Sequence, residues 1–282
     1  MDFSDIRRTM LAAIASDDVL VESLVFKGGN ALQLVHQIGE RASLELDFSM
    51  EGDFEDTDEF QERLFRALKN RFTSAGFVLF DEQFRPQPPT SGPGTDWGGY
   101  VAEFKLISRE KYLELDGDLE AMRRQSQPIG PSDRRKFRIE LSKFEFCKGK
   151  IEAEVEKDCT CYVYTTAMIA AEKLRAICQQ MPEYTKRAHP APRARDFYDI
   201  HAIITYTMLD VVSPSFVDLL REMFKVKDVP LALLRSIDQH REFHRQGWPR
   251  VEEDVYGHLE QFDYYFDFVV EQVGKLEARG VV

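Results

Sequence analysis

The sequence predicts an α+β protein in which a mixed β-sheet with flanking helices is followed by an α-helical C-terminal half. Three observations support this prediction. Segments of alternating apolar and polar residues are interleaved with segments of helical spacing up to about residue 163. Beyond that point the strand patterns stop and only helical patterns remain. With 282 residues, of which 43% are hydrophobic, the chain can bury a sizeable core.

The individual elements follow from the spacing of apolar residues. Helices of the first half are predicted at 3–16, 31–38 and 56–75. Strands are predicted at 44–50, 77–80, 100–107 and 136–142. Four prolines and four glycines predict an irregular loop at 85–99. Helices of the second half are predicted at 165–180, 194–208, 214–224, 229–246 and 252–278. We therefore predict two domains: an α/β domain over 1–162, and a helical domain over 163–282 that packs against it and completes its site.

Composition and charge restrict the class of protein. No run approaches the roughly 18 apolar residues that a membrane span needs, and the N-terminal residues lack the pattern of a secretory signal. We therefore expect a cytoplasmic protein without a membrane partner. The net charge of -12 argues against non-specific coating of nucleic acid, although a local basic groove remains compatible with it. The four cysteines are expected to be reduced thiols.

The strand at 44–50 carries two carboxylates on one face. Its residues alternate, so Glu45 and Asp47 project on the same side, about 6.5–7 Å apart along the strand. Such a pair is favourable when a divalent cation neutralises it, and Mg²⁺ or Mn²⁺ accepts hard oxygen ligands. Taken alone, an acid-x-acid strand is more often a solvated face.

The glycine turn that precedes this strand favours the metal interpretation. Lys27-Gly28-Gly29-Asn30 lies between an apolar segment and a short helix. Adjacent glycines let the backbone approach a ligand closely, and the N–H groups at a helix start face a phosphate. An isolated double glycine is usually just a turn. Together with the acid pair, however, this turn forms one compact unit able to hold a nucleoside triphosphate (NTP) against a metal.

A third carboxylate is expected in a two-metal site, as a ligand or as a base. Glu140 fits this role, because Ile139 and Leu141 direct the opposite face of its strand to the core. Its position alone is equally compatible with an exposed strand glutamate.

Two charged side chains of the helical half lie beside apolar stripes. Lys173 is at the edge of one, where it either snorkels to solvent or points at a ligand. Asp196 precedes Ile200 and Ile203 at helical spacing, which places its carboxylate on the buried face. A buried charge requires a partner.

Four motifs in this order resemble the AbiEii/AbiGii toxin family, which is related to the polymerase-beta-type nucleotidyltransferases. The family pattern is approximately KGGTAL, RxSxDxDF, a helix with EKLxA, and RDxYDL. In this chain the motifs begin at Lys27, Arg41, Glu172 and Arg195, and together they span most of the sequence.

The resemblance implies a nucleotidyltransferase fold and a metal-dependent transfer of nucleotides from an NTP, with tRNA or another RNA as the acceptor. It also implies the toxin of a bacterial phage-defence toxin–antitoxin pair, with a cognate antitoxin encoded next to it. By matching, Lys173 would contact the nucleotide phosphates, and Asp196 would hold Lys173 or a nearby basic group. Arg41 and Ser43 would support the acidic strand within the nucleotide-binding set.

The sequence departs from the family pattern at two positions. Asn30 replaces the usual threonine or serine, and Glu45 replaces the first aspartate of the acid pair. Glutamate is still a hard-oxygen ligand, but it is one methylene longer. Two alternative functions therefore stay open: a nucleotide- or partner-binding module without turnover, and a metal-dependent phosphohydrolase that uses the same carboxylates.

Overall fold

The computed structural model describes residues 1–39, 45–89, 98–129, 134–157, 159–187 and 189–282. Its residues form two compact units. The first, here called the sheet unit, comprises Met1–Asn30 and Leu44–Val163. The second, called the helical unit, comprises Ala31–Ser43 and Tyr164–Val282. The helical unit is thus assembled from two separate stretches of the chain.

The sheet unit contains a mixed seven-stranded sheet with the order β3-β4-β5-β2-β1-β7-β6. The β1/β7 and β2/β5 pairs are parallel, and the remaining neighbours are antiparallel. The strands are β1 Val25–Lys27, β2 Glu45–Ser49, β3 Phe77–Gln87, β4 Gly99–Ser108, β5 Phe137–Ser142, β6 Ile151–Glu156 and β7 Cys159–Val163. This arrangement puts β2 and β5, which carry the candidate carboxylates, side by side at the centre of the sheet.

The two faces of the central strands differ in polarity. Leu46, Phe48 and Ile139 are buried on one face, while Glu45 and Asp47 project from the other because side chains alternate along a strand. The helices of this unit are α1 Phe3–Ala15, α2 Asp18–Ser23, α4 Thr57–Ser74, α5 Arg109–Glu114 and α6 Leu119–Gln125. Helix α1 packs against α4, β6 and β7, and α4 packs against β3. Burying the apolar stripes of these helices fixes the position of the strands that bear the site.

The helices of the second half all lie in the helical unit, which also includes the stretch Ala31–Ser43. They are α7 Thr166–Cys178, α8 Ala194–Thr207, α9 Pro214–Lys225, a 3-10 helix Leu231–His240, α10 Arg241–Arg245, α11 Trp248–Asp254 and α12 Phe262–Ala278. Aromatic packing joins α8 to α12: the ring of Phe197 stacks on that of Phe266 at a centroid distance of 5.0 Å and meets Phe262 edge-on. The short helix α3 Gly28–Leu34 begins in the sheet unit and ends in the helical unit.

The predicted mixed sheet, flanking helices and helical C-terminal half are confirmed. The helix predicted at 31–38 spans Gly28–Leu34 instead. The limits of three longer elements were also wrong. Strand β3 extends past Phe80 to Gln87, which lies inside the predicted loop. The apolar pattern ends at an irregularity between Phe80 and Gln83, but the backbone continues to pair with β4 beyond it. Residues 90–97 of that loop lie outside the described residues.

The two other differences concern the predicted helices 229–246 and 252–278. The first is mostly a 3-10 helix, in which the buried Leu234 and Ile237 are three residues apart, matching its three residues per turn. The second is interrupted between Asp254 and Phe262, a stretch that contains the helix-disfavouring Gly257. Within the described residues, no helix combines the length and apolar character needed to cross a membrane.

Candidate active site

Three carboxylates meet on the polar face of the central strands. Parallel pairing of β2 with β5 places Asp47 opposite Glu140, and Glu45 lies two residues before Asp47 on the same side of β2. One oxygen from each of these three side chains lies within 4.8 Å of the others, and all three are half-buried. This group, called the carboxylate cluster, contains the residues that the sequence singled out as metal ligands.

The electrostatics of the carboxylate cluster suit a divalent cation. Burial raises the pKa of Glu140, and the neighbouring charge of Glu45 raises it further against the opposing effect of Arg138 and Lys27. The three groups supply only hard oxygen donors, the ligand type that Mg²⁺ and Mn²⁺ prefer. The donor set therefore fits such an ion.

Lys27 faces the carboxylate cluster from β1. It pairs with Asp47 across the antiparallel β1/β2 ladder and is only 7% exposed. Its ammonium lies 4.0 Å from the carboxylate of Glu145, which is equally buried. Lys27 is therefore an internal counter-charge of this face, and Glu145 is a partner that the sequence did not predict.

The glycine turn lies directly against strand β2. Gly28 begins α3 with φ 73°, a left-handed conformation that disfavours side chains. A Cβ atom at this position would lie 2.8 Å from Oδ2 of Asp47. Gly29 follows within the first turn of α3. The glycines predicted that the backbone comes close to another group. At Gly28, the group that it approaches is the side chain of Asp47.

Asn30 makes its side-chain contacts inside the protein. Its amide is fully buried, accepts a hydrogen bond of 2.7 Å from Nη1 of the buried Arg7, and donates one to the backbone carbonyl of Glu45. Both ends of the amide are thus used to connect α1 with the first residue of β2. A threonine or serine, with a single hydroxyl, would not span both partners in the same way.

Arg138 lies in the next row of the polar face, opposite Glu45 in the β2/β5 register. Its Nη2 is 2.6 Å from Oε1 of Glu140 and donates a hydrogen bond of 2.9 Å to Oε1 of Gln87. Its Nε is buried, makes no hydrogen bond within the described part of the chain, and lies 4.0 Å from Oε1 of Glu45. The guanidinium is therefore in contact with one member of the carboxylate cluster and close to another.

In the helical unit, Lys173 and Asp196 form a buried ion pair. The ammonium of Lys173 on α7 lies 2.9 Å from Asp196 and 2.7 Å from Asp199, both on α8. Burial would raise the pKa of Asp196, but the positive charges of Arg193 and Lys173 outweigh it and hold this pKa below its usual value. The partner that a buried Asp196 requires is thus present.

Two predicted nucleotide-binding residues, Arg41 and Ser43, lie outside the described residues. Arg7, Arg138, Glu145 and Asp199 are contacts of predicted residues that sequence reasoning missed. For Arg138 a signal existed, because it is two residues before Glu140 on the same strand face. The others come from distant segments, and their relation to the site depends on tertiary folding.

Comparison with protein families agrees with the motif order. A family model described as nucleotidyl transferase AbiEii toxin, type IV toxin–antitoxin system, matches residues 9–271. No match is found among curated proteins.

Comparison with solved structures finds matches that include two proteins from Helicobacter pylori. The protein JHP933 is 14% identical, with 99% of this chain and 93% of that chain covered and a TM-score of 0.49. A protein provisionally described as a nucleotidyltransferase is also 14% identical, with 98% and 94% covered and a TM-score of 0.51. The second likeness shows a shared fold.

Proposed function

Because the chain belongs to the AbiEii family of nucleotidyltransferase toxins of type IV toxin–antitoxin systems, we propose that it transfers a nucleotide from an NTP to an RNA acceptor such as tRNA. Family membership makes the chain a nucleotidyltransferase, with a nucleotide substrate and an antitoxin partner. The choice of acceptor and the dependence on Mg²⁺ or Mn²⁺ are the proposed parts. The carboxylate cluster is the observation that supports the metal dependence, and the family pattern is what implies the acceptor.

Glu45, Asp47 and Glu140 would hold the divalent cation, since their oxygens converge within 4.8 Å of one another. When bound, this cation neutralises charge on the phosphates and on the attacking oxygen. In the proposed reaction the acceptor hydroxyl oxygen attacks the α-phosphorus and gives its proton to a water molecule. The bond from the α-phosphorus to the oxygen bridging to the β-phosphorus breaks in line, so pyrophosphate leaves.

The other residues bind and position the nucleotide in this proposal. Gly28 and Gly29 would contact phosphates through their backbone, because they open α3 beside Asp47. Asn30 would hold the turn, since its side chain already bonds to Arg7 and to the Glu45 carbonyl. Lys173, held by Asp196, would contact the phosphates as the family pattern implies.

The biological role follows from the family and belongs to the same proposal. A toxin that adds nucleotides to tRNA acceptor ends blocks translation, which would serve phage defence by abortive infection. We expect a small cognate antitoxin to be encoded next to this chain. The net charge of -12 indicates that RNA binding depends on local basic residues rather than on the whole surface.

The Asp47→Asn variant tests the chemistry. It keeps the side-chain size but removes a negative charge from the carboxylate cluster, so transfer of labelled nucleotide to total tRNA should fall by at least about a hundredfold. The assay supplies each of the four NTPs in turn, with Mg²⁺ or Mn²⁺ and with EDTA. Asp238→Asn removes an exposed aspartate of the helical unit and should transfer nucleotide like the parent protein.

Three other results would each contradict the proposed function or its location at the carboxylate cluster. Retained transfer by Asp47→Asn would show that the carboxylate cluster is not the active site. Release of phosphate without an acceptor would indicate a phosphohydrolase. Nucleotide binding that needs no metal, without incorporation of any nucleotide, would indicate a binding module.

A further inference from the structure

The guanidinium of Arg138 lies beside carboxylate oxygens that a metal ion would need as ligands. It lies 2.6 Å from Oε1 of Glu140 and 4.0 Å from Oε1 of Glu45, two of the three members of the carboxylate cluster. Arg138 is on β5, one alternate position from Glu140, so the two side chains leave the same face of the same strand. Its side chain is 26% exposed, which leaves it room to move toward solvent.

The need for a counter-charge explains this position. Three carboxylates whose oxygens lie within 4.8 Å repel one another when they are ionised. Lys27 opposes this repulsion from β1, and Arg138 opposes it from β5. A bound divalent cation would supply the same compensation more strongly and would repel the guanidinium.

We propose that Arg138 is a built-in competitor of the metal ion for the carboxylate cluster. Its ion pair with Glu140 stabilises the metal-free protein, and this pair opens when the cation binds. Gln87 on β3 already accepts a hydrogen bond of 2.9 Å from the same Nη2 atom, so the displaced guanidinium keeps a partner. The inference rests on the proposed metal dependence of the enzyme and adds a residue that sets the affinity for the metal.

This competition has two measurable consequences. Removing the guanidinium should make metal binding tighter, because the cation no longer displaces a positive charge. It should also destabilise the metal-free protein, because the carboxylate cluster loses a counter-charge. The two effects are linked. A group that stabilises the metal-free state of the site must lower the affinity for the metal, because the metal stabilises the bound state.

The test compares Arg138→Gln with Arg85→Gln in the full-length protein. Arg85 is a matched control: it lies on β3, pairs with Glu103 at 3.4 Å, and loses the same charge without touching the carboxylate cluster. Mn²⁺ binding is measured by electron paramagnetic resonance of the free ion. Thermal unfolding is measured in EDTA and in saturating Mn²⁺.

We expect Arg138→Gln to bind Mn²⁺ about tenfold more tightly than the parent, a coupling typical of linked sites. Its melting temperature should be lower than that of the parent in EDTA, and Mn²⁺ should raise it by a larger increment. Arg85→Gln should match the parent in Mn²⁺ affinity and in this increment. Arg138→Lys, which keeps the charge on a different group, should fall between Arg138→Gln and the parent.

Two results would overturn the inference in distinguishable ways. If the parent binds Mn²⁺ but Arg138→Gln binds it equally or more weakly, Arg138 is not a competitor, while the proposed function stands. If the parent itself binds no Mn²⁺, the metal dependence in the proposed function fails and the inference fails with it. Should Arg138→Gln not fold, Arg138→Lys provides the same comparison.

Discussion

At the scale of single residues, the contact between Gly28 and Asp47 connects the glycine turn to the carboxylate cluster. Gly28 has a positive φ of 73°, and a Cβ atom on it would lie only 2.8 Å from Oδ2 of Asp47. Either feature alone disfavours a side chain. Together they explain why a glycine is needed at this position, whether or not its backbone also contacts a phosphate.

The Gly28→Ala variant separates these two causes. Its backbone strain should cost about 1–2 kcal/mol of unfolding free energy. In addition, the new methyl group must push the Asp47 carboxylate aside, so nucleotide transfer and Mn²⁺ binding should each fall by at least about tenfold. Urea denaturation, the transfer assay and Mn²⁺ titration measure these effects.

Gly76→Ala is the matched control, because Gly76 has φ 80° and, apart from Gly76 and its two chain neighbours, no described residue has an atom within 4 Å of the place that its Cβ would take. It should lose a similar unfolding free energy and keep nucleotide transfer and Mn²⁺ binding unchanged. If Gly28→Ala behaved like Gly76→Ala in both assays, the contact with Asp47 would be irrelevant to the site.

At the scale of elements, the start of α8 depends on a buried histidine from α10. The side chain of the N-cap residue Arg193 makes no capping hydrogen bond to this helix. Instead, the Arg193 backbone N–H donates a hydrogen bond of 3.1 Å to Nδ1 of the fully buried His244. An imidazole that accepts at Nδ1 must be neutral, with its proton on Nε2. The same N-terminal turn carries Asp196, the partner of Lys173.

This arrangement predicts that stability falls in mild acid. Burial lowers the pKa of His244 from 6.5 to about 4. The unfolded chain therefore takes up a proton between these two values while the folded chain does not. Stability from this group is complete above pH 6.5 and is lost as the pH falls toward 4, by about 2 kcal/mol at pH 5 relative to pH 7. Urea denaturation at both pH values measures the loss.

The His244→Asn variant serves as the comparison, since its amide oxygen can accept the Arg193 hydrogen bond but does not titrate. Its loss of unfolding free energy between pH 7 and pH 5 should be smaller than that of the parent by about 2 kcal/mol. Equal losses in the two proteins would contradict the role assigned to His244.

At the scale of the whole molecule, the helical unit is discontinuous in sequence. Its N-terminal stretch contributes the buried side chains of Leu32 and Ile38, and His36 Nε2 donates a hydrogen bond of 2.7 Å to the carbonyl of Tyr164. A fragment that begins at Tyr164 lacks these contacts. Its core would therefore be incomplete.

We predict that the fragment 164–282 does not unfold cooperatively by itself. Adding a peptide of residues 31–43 should restore part of the cooperativity, because burying its leucine and isoleucine recovers about 1.5–3 kcal/mol per side chain. Circular dichroism during urea denaturation is the measurement, and a scrambled peptide of the same composition is the control. Cooperative unfolding of the fragment without any peptide would show that the N-terminal stretch is dispensable.

Sequence patterns were most informative where local spacing determines structure. Alternation in strand 44–50 predicted that Glu45 and Asp47 share a face, and alternation around Ile139 predicted the same polar exposure for Glu140. The patterns failed at the end of β3, where backbone pairing with β4 continues after the apolar pattern ends. They also failed at the 3-10 helix Leu231–His240, because a spacing of three residues is common to 3-10 and α-helices.

By itself, the sequence determined the fold class and the family, because period, glycine spacing and motif order are local properties of the chain. It also predicted the residues of the candidate site. Only the tertiary structure decided which residues meet. Parallel pairing of β2 with β5 brings Asp47 beside Glu140 and Glu45 beside Arg138. Strand pairing between segments about ninety residues apart leaves no trace in either segment alone, so the closeness of Arg138 to Glu45 and of Lys27 to Asp47 became visible only in the folded protein.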